Sequence, residues 1–394
     1  MTTPTGASAR LPMGKRIREA LRIAHLWIGV GLCIPFIVLG ISGSYLVYHD
    51  FFDGLMGAKT EVTVSDGAAR APAEIVAAAS AAAPEGFSAV LLTMPGGEGE
   101  AATVRVAPEG ASFRDPRAMQ ILVDPATLAI LGEAAGGMGG VTRIMHDLHG
   151  HFMISGDGRA LVGWAGVAML ALGISGLVIW WPRPGKLKEA LLVRRGAHGY
   201  RLHRDLHGAF GFWTLIVFVV VSFTGVYIAF PQTIQTGVRF LLVADAPAKA
   251  AEPVGEGPML SLAEVVERAV AAAPDGTLAM AALSFGQGRP SQARFRVPGY
   301  DEGAPSLVVQ IDPRSGAVLD ISDPRQASAD ETFAAWQRPL HQGEGWGPVW
   351  RALVFVSGFL PLLFAITGIT MWLLRRKAQA AARRLRARGR KAAA

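Results

Sequence analysis

The stretch ALVGWAGVAMLALGISGLVIWW at residues 160–181 carries no charged side chain. A helix needs about 20 apolar residues to cross the roughly 30 Å hydrocarbon core of a bilayer, so this stretch is long enough to span a membrane. Three further apolar runs occupy residues 25–49, 207–230 and 351–374. Of the 394 residues, 51% are hydrophobic and 18% charged, and Cys33 is the single cysteine, which excludes a disordered or disulfide-rich chain. The sequence therefore predicts a membrane protein with four transmembrane α-helices.

Basic residues predict the orientation of these helices. Arginine and lysine are concentrated in the N-terminal tail, the short loop and the C-terminal tail, which are residues 1–24, 182–206 and 375–394. The two long segments, residues 50–159 and 231–350, are net acidic. The positive-inside rule then places both termini and the short loop in the cytoplasm, and the long segments on the opposite side. The net charge of +7 follows from this topology, so we expect the basic tails to contact membrane lipid and predict no nucleic-acid partner.

The chain is a duplication in which both copies run in the same direction. Arg, His and Gly recur in register at an offset of 182 at the start of the first and third runs, and a Leu-His pair recurs at an offset of 192 before the second and fourth. A Ser/Thr-Gly pair lies within every run. This pair predicts either close approach of a flat cofactor or ordinary small-residue helix packing. The matched motifs are Arg22…His25 with Arg204…His207, Ser42-Gly43 with Thr224-Gly225, Leu148-His149 with Leu340-His341, and Ser175-Gly176 with Thr367-Gly368.

Each long segment is predicted to form a small α+β domain inserted between two spans. Alanine-rich or amphipathic stretches predict one helix in each, and alternating apolar residues predict the strands. An Asp-Pro-x-Ser/Thr turn follows a strand in both. The predicted helices are Ala73–Ala83 and Leu262–Ala273, and the predicted strands are Ser88–Leu92, Thr103–Ala107, Ala118–Val123, Gln292–Val297 and Leu307–Ile311, with a short strand near Ile130.

The histidines lie at or near the predicted membrane faces, where ionisable groups indicate function. His25 and His207 begin spans at one depth, and His149 and His341 precede spans at another. Neutral imidazole is a normal axial ligand of haem iron, so the two symmetric pairs suggest two haems, each held by two histidines. His25 and His49 are about 36 Å apart on one helix and cannot share a site.

Other histidines are weaker candidates. His203 precedes His207 by one helical turn, so it could replace His207 as a ligand or bind a haem propionate. The cluster from His146 to His151 is dense enough to suggest a metal site, but His146 has no counterpart in the second copy. His49 is matched by a proline there.

The order of these motifs resembles that of the PepSY-associated transmembrane family, whose members include iron-regulated inner-membrane proteins and ferric-siderophore reductases of the ferrioxamine type. The resemblance runs from about Arg16 to Arg376. It implies a bacterial inner-membrane protein with PepSY-like periplasmic domains and two b-type haems. It also implies that electrons pass outwards to Fe(III) in a siderophore or related chelate, so that Fe(II) is released. The motif positions place the haem ligands on His25, His207, His149 and His341.

The leading hypothesis is therefore an oxidoreductase, a di-haem ferric-chelate reductase. Because no Gly-x-Gly-x-x-Gly follows a predicted strand, we expect no nucleotide or flavin site, and electrons must come from quinol or a cytoplasmic donor. Among the acids of the long segments, Asp301, Glu302, Asp330 and Glu331 either meet a cationic siderophore or form a solvated face.

The alternative is a non-redox protein that binds a metal chelate as an uptake accessory. Four spans are few for a carrier, and the apolar runs show no discontinuous helix. A third hypothesis is an assembly or regulatory protein whose external domains bind a partner protein. Absence of haem would favour either of these.

Overall fold

The computed structural model describes residues 13–392 apart from 57–62, 98, 113–114, 116, 136–139, 243–256, 285–288 and 302. The chain divides into two units. The helical unit contains residues 1–47, 145–231 and 351–394, and the sheet unit contains residues 48–144 and 232–350. Each unit therefore draws on both copies of the sequence repeat.

The secondary structure alternates between these units along the chain. The helices are α1 (Met13–Gly31), α2 (Cys33–Val47), α3 (His49–Leu55), α4 (Pro72–Ala82), α5 (Gly140–His151), α6 (Gly158–Trp180), α7 (Leu187–Ala190), α8 (Gly199–Trp213), α9 (Leu215–Ala229), α10 (Pro231–Leu242), α11 (Leu262–Ala272), α12 (Ala329–Gln342), α13 (Gly347–Ser357) and α14 (Leu360–Ala392). The strands are β1 (Phe87–Thr93), β2 (Ala102–Pro108), β3 (Met119–Val123), β4 (Ile130–Ala135), β5 (Thr277–Ala282), β6 (Ser291–Arg296), β7 (Leu307–Ile311) and β8 (Val318–Ser322).

Two helical segments are long and apolar enough to cross a membrane by themselves, namely α6 and the run Gly347–Arg388 through α13 and α14. The pairs α1–α2 and α8–α9 meet the same test only when each pair is taken together. These pairs are bent by 63° and 66°. The described residues therefore contain two spans, or four if each bent pair crosses once. The expectation that no helix is discontinuous is wrong for the first and third runs.

The two breaks have local causes at matching repeat positions. They fall at Leu32 and Thr214, which are related by the same offset of 182 as the histidines. After the first break, Pro35 lacks the N–H that would continue the helical ladder. At the second, the Thr214 hydroxyl donates to the Phe210 carbonyl at 2.6 Å, a back-bond that bends helices. Neither residue interrupts the apolar pattern, so the bends were not evident from hydropathy.

The helices also extend beyond the apolar runs. Helix α1 begins at Met13 and α14 continues through the basic tail to Ala392, although the predicted spans begin at residue 25 and end at residue 374. Arginine, lysine and alanine have high helix propensity, so a helix continues where the apolar run stops.

The two long segments build one continuous sheet. Its order is β4-β3-β2-β1-β5-β6-β7-β8, and each neighbouring pair is antiparallel. Each copy supplies four strands, and the halves join where Leu91–Thr93 of β1 pair with Met280–Ala282 of β5. The predicted strands form near their predicted positions, whereas β5 and β8 were not predicted. Strand β5 is the residue run TLAMAA, whose alanines give little β signal.

One helix from each copy forms the core with this sheet. Ile75 on α4 and Val265 on α11 are fully buried with Val104 and Phe295 of the strands. Helix α11 begins with a capping box, in which Ser261 accepts from the Glu264 N–H while the Glu264 carboxylate accepts from the Ser261 N–H.

The repeated Asp-Pro turns have the same structural role in both copies. Asp124 Oδ1 accepts hydrogen bonds from the N–H groups of Ala126 and Thr127, at 2.9 and 3.2 Å. Asp312 Oδ1 accepts from the N–H groups two and three residues later, at 2.8 and 3.3 Å. The carboxylate thus closes the turn between consecutive strands.

Candidate functional site

The helical unit encloses a cavity of about 770 Å³ that contains the first predicted histidine pair. This volume lies within the range of roughly 300–1,000 Å³ that is usual for ligand and cofactor sites. Apolar groups such as Phe36, Met169 and Phe218 line its interior. One end, which we call the basic end, is lined by the side chains Arg22, Lys186, Arg194, Arg204 and Arg375.

His25 on α1 and His207 on α8 face each other across this cavity. Their ring centroids are 6.3 Å apart and their planes cross at 71°. Two imidazoles bonded to one metal at about 2 Å have ring centres roughly 6 Å apart, so this spacing fits a shared metal. The structure therefore brings together the pair that the 182-residue offset predicted. Phe364 packs beside His207 with a centroid distance of 5.0 Å and helps to keep the site apolar.

A hydroxyl group on α6 determines which nitrogen of His25 carries the proton. His25 Nδ1 lies 2.9 Å from Ser175 Oγ. The Ser175 hydroxyl donates its hydrogen to the Ala171 carbonyl at 2.6 Å, so towards His25 it can only accept. His25 must therefore donate from Nδ1, which leaves the lone pair on Nε2. Among the described residues nothing hydrogen-bonds to that Nε2, so the nitrogen is available to a metal.

The same arrangement recurs in the second copy. His207 Nδ1 lies 2.8 Å from Thr367 Oγ1 on α14, and Thr367 donates to the Leu363 carbonyl at 2.8 Å. His207 therefore has its proton on Nδ1 as well, and the part of the chain that the structure describes provides no hydrogen bond to its Nε2. Metal-ligating histidines characteristically donate their second ring nitrogen to such an acceptor, which fixes the ring and raises its basicity.

His149 is fixed in the same tautomer. Its Nδ1 lies 2.9 Å from the Leu39 carbonyl, which can only accept, and 3.3 Å from Ser42 Oγ. Ser42 donates to the Val38 carbonyl at 2.6 Å. The residue lies on α5, which is separated from α6 by a turn where Phe152 has φ 52° in the left-handed region.

The glycines of two Ser/Thr-Gly pairs make room for an imidazole. A Cβ at Gly43 would lie 2.7 Å from His149 Cε1, and one at Gly176 would lie 3.3 Å from His25 Cε1. At Gly368 the corresponding distance to His207 Cε1 is 3.6 Å, which is ordinary contact. At Gly43 and Gly176 the hydroxyl of the pair contacts the ring nitrogen and the glycine leaves space for the ring. The role of the hydroxyl was missed in the sequence, although its recurrence at matching repeat positions was the available signal.

The remaining histidines lie elsewhere. His341 lies on α12 of the sheet unit, so its pairing with His149 stays a prediction. His203 is half-buried on α8, and its Nδ1 has no hydrogen-bond partner among the described residues. His49 begins α3, 3.8 Å from the Asp50 carboxylate. His198 contacts the Gly196 carbonyl in the short loop.

Two histidines of the cluster from His146 to His151 lie beside one carboxylate. His146 Nδ1 and His151 Nε2 lie 3.7 and 3.3 Å from the same Asp147 oxygen, as in an ion pair. Within the described ranges there is no group of three or more histidine, cysteine or acidic side chains that could hold a metal ion. A haem site needs only two imidazoles, which is fewer than three side chains, so this absence does not bear on the haem hypothesis.

The acidic residues considered for siderophore binding have structural partners. Asp330 is buried and accepts hydrogen bonds from Arg239 and Ser328, which together hold its pKa below the usual range. Glu331 completes the capping box of α12. Asp301 is exposed, and Glu302 lies outside the described residues. Two of the four acids therefore stabilise the sheet unit.

These features define a class, that of membrane proteins whose helical unit has an apolar cavity lined by paired imidazoles and whose second unit is an α+β sheet domain. The chain belongs to the PepSY-associated transmembrane family, because the family pattern described as the PepSY-associated TM region matches residues 22–375. It is also similar to Uncharacterized protein PA4219 of Pseudomonas aeruginosa, with 26% identity over 259 residues. That similarity covers 59% of this chain and 63% of the relative, so the chain spans just under two thirds of that protein.

Proposed function

We propose that this protein is an inner-membrane electron carrier that uses two b-type haems to reduce Fe(III) in siderophores or related chelates. Reduction would release weakly held Fe(II) on the periplasmic side, and both termini would face the cytoplasm. Electrons would come from quinol or from a cytoplasmic donor. The proposal is supported by the geometry at His25 and His207 and by the sequence motifs, which resemble a family whose members include ferric-siderophore reductases.

The observation that carries the proposal is the pair of opposed imidazoles with Nε2 lone pairs. Two neutral imidazoles 6.3 Å apart in an apolar cavity would hold the iron of a haem through their Nε2 atoms. Such a haem would supply one-electron redox chemistry. His149 shares the tautomer, which supports its predicted role at a second haem.

The surrounding residues would orient and shield this group. Ser175 and Thr367 hold the two rings from opposite sides and keep the proton on Nδ1. Phe364 and Phe218 exclude water from the apolar wall. Arg22 and Arg375 at the basic end would neutralise the two propionate groups of a haem.

An optical spectrum of the detergent-purified protein, oxidised and then reduced with dithionite, tests the proposal. We expect low-spin b-type bands and a pyridine haemochrome count of about two haems per chain, as the two predicted pairs require. His25→Ala and His207→Ala should each remove one haem, because an iron with a single imidazole is held weakly. Reduction of a ferric siderophore should be lost in both variants.

His198→Ala is the matched control, because this histidine lies in the short loop and its Nδ1 contacts the Gly196 carbonyl, away from the cavity. Its haem count and spectrum should equal those of the unaltered protein. A haem-free spectrum from cells with ample haem would refute the proposal and leave the chelate-binding accessory as the better hypothesis.

A further inference from the structure

One acidic side chain in the cavity has no role in the site described above. Asp205 on α8 lines the cavity, and its side chain is only 7% exposed. Arg204 donates to Asp205 Oδ1 twice, from Nε at 3.1 Å and from Nη2 at 2.6 Å. The other oxygen, Oδ2, is buried and has no hydrogen-bond partner in the described part of the chain. A buried carboxylate oxygen without a donor is unfavourable by several kcal/mol unless a ligand or water supplies one, which points to a binding partner.

This carboxylate lies on a different face of α8 from the histidine ligand. Residues two apart on a helix point about 200° away from each other, whereas residues three and seven apart share a face. Asp205 therefore shares a face with Gly208 and Phe212, and His207 lies on the far side. The cavity is lined by residues of both faces, and we use the word lobe for the part lined by Asp205, Gly208 and Phe212.

The lobe beside Asp205 has a flat aromatic wall. Trp180 stacks on Phe212 with centroids 4.8 Å apart and planes 28° from parallel. The indole lies directly against Gly208, where an added Cβ would come within 2.7 Å of Trp180 Cδ1. Tyr200 also lines the cavity at the basic end. Such a lobe offers a stacking surface for a planar ring and one strong hydrogen-bond acceptor at its edge.

We propose that this lobe binds a membrane hydroquinone and that Asp205 Oδ2 accepts a hydrogen bond from one of its hydroxyl groups. The inference deepens the proposed function, on which it rests, by naming the class of electron donor. A hydroquinone is planar and carries a hydroxyl donor, and its apolar tail stays within the bilayer. It therefore matches an aromatic wall and an unpartnered carboxylate at the end of apolar helices.

The chemistry balances with the haem of the proposed function as one-electron oxidant. Oxidation of one hydroquinone to quinone breaks two O–H bonds and releases two protons and two electrons. Both protons leave to water at the basic end, and Asp205 Oδ2 holds the hydroxyl group by a hydrogen bond. The electrons leave singly, and each reduces one ferric iron to ferrous iron.

A soluble nucleotide donor fits this lobe less well. Such a donor carries phosphates, which need free cations or a glycine-rich loop. Lys186 and Arg194 are both engaged by Glu189, at 2.7 and 3.0 Å. Arg204 is engaged by Asp205 itself.

The test compares Asp205→Asn with Glu189→Gln in the purified full-length protein. Asparagine keeps the shape and still accepts from Arg204, but it presents an N–H₂ group where the acceptor was. Glu189 is a matched control, because it is another cavity-lining carboxylate whose oxygens are both occupied. The readout is the rate of haem reduction by duroquinol under anaerobic conditions, followed at the ferrous bands.

We expect Asp205→Asn to slow this reduction by about tenfold or more, as for the loss of a hydrogen bond to a charged acceptor. Its haem content and dithionite-reduced spectrum should equal those of the unaltered protein. Glu189→Gln should stay within about twofold of the unaltered rate. Equal rates of haem reduction in the two variants would overturn the inference. It would also be overturned if reduced flavin mononucleotide or NADH reduced the unaltered protein and duroquinol did not.

A second measurement separates this inference from the proposed function. Duroquinol binding is titrated anaerobically by quenching of tryptophan fluorescence, since Trp180 lies in the lobe, and the titration requires no haem. We expect affinity to fall about tenfold or more in Asp205→Asn, as for loss of a hydrogen bond to a charged acceptor. A protein that contains no haem would refute the proposed function but not the quinol site. Equal duroquinol affinity in Asp205→Asn and Glu189→Gln would refute the quinol site, whether or not haem is present.

Discussion

Replacing Thr367 by valine isolates the contribution of one hydroxyl to the histidine site. Thr367 is 1% exposed, and valine has nearly the same shape, so packing around it should be preserved. The variant removes the acceptor of the His207 Nδ1–H, which lies 2.8 Å away. The histidine then loses its orientation and the preference for the tautomer that leaves Nε2 unprotonated.

The magnitude follows from the bond that is lost. Hydrogen bonds between transmembrane helices contribute about 0.6 kcal/mol on average and up to about 1.7 kcal/mol, so the protein should still fold. Loss of such a contact to a metal-binding histidine lowers metal affinity by about 10–100-fold. The less basic imidazole also stabilises ferric iron less, so the midpoint potential of that haem should rise by up to roughly 40 mV for about 1 kcal/mol.

Haem content and spectroelectrochemical titration measure both effects, with Thr367→Ser as the control. Serine keeps the hydroxyl, and the chain already uses serine for this purpose at Ser175 and Ser42. We expect the serine variant to match the unaltered protein and the valine variant to lose haem on dilution. If both variants retained haem with the same potential, the hydroxyl would have no part in holding the ring and the tautomer argument would be wrong.

The remaining predictions concern one glycine and one turn. Gly43→Ala places a methyl group 2.7 Å from His149 Cε1, so the ring must shift. We expect the haem count of this variant to fall from about two to about one. The control is Gly237→Ala, which should leave the count unchanged because the space around Gly237 is open. Hydrogen bonds from Ser65 and from the turn N–H groups hold the pKa of Asp124 well below its usual range. Asp124→Asn should therefore lower the melting temperature at pH 7 relative to the unaltered protein. This difference in melting temperature should shrink as the pH falls below about 4, because the carboxyl group of the unfolded protein becomes protonated there. A difference that does not depend on pH would contradict this.

Much of the fold followed from short-range patterns. Apolar runs located the helices that are candidate membrane spans, period-two alternation located β2, β3 and β7, and the repeat offset paired His25 with His207. The bends at Leu32 and Thr214 were missed because a back-bonding threonine and a nearby proline leave the hydropathy unchanged. The join between β1 and β5 was missed because it depends on pairing between segments about 190 residues apart.

The site was predicted less completely than the fold, for a physical reason. The contact between His25 and Ser175 joins residues 150 apart, and that between His207 and Thr367 joins residues 160 apart. A repeat shows that such residues matter but not which histidine meets which hydroxyl. Asp205 was hidden for another reason, since beside Arg204 it reads as an ordinary surface pair until its burial is known.

The single sheet shared by both copies constrains the order of biogenesis. Strand β1 lies in the middle of the sheet, but during translation it has a neighbour on one side only until β5 has left the ribosome. For that interval a first-copy intermediate presents an unpaired strand edge, which is a template for association with other chains. The nascent protein would thus depend on a holding chaperone or on rapid synthesis of the second copy, and truncation between the copies should yield aggregation rather than a half-sized functional protein.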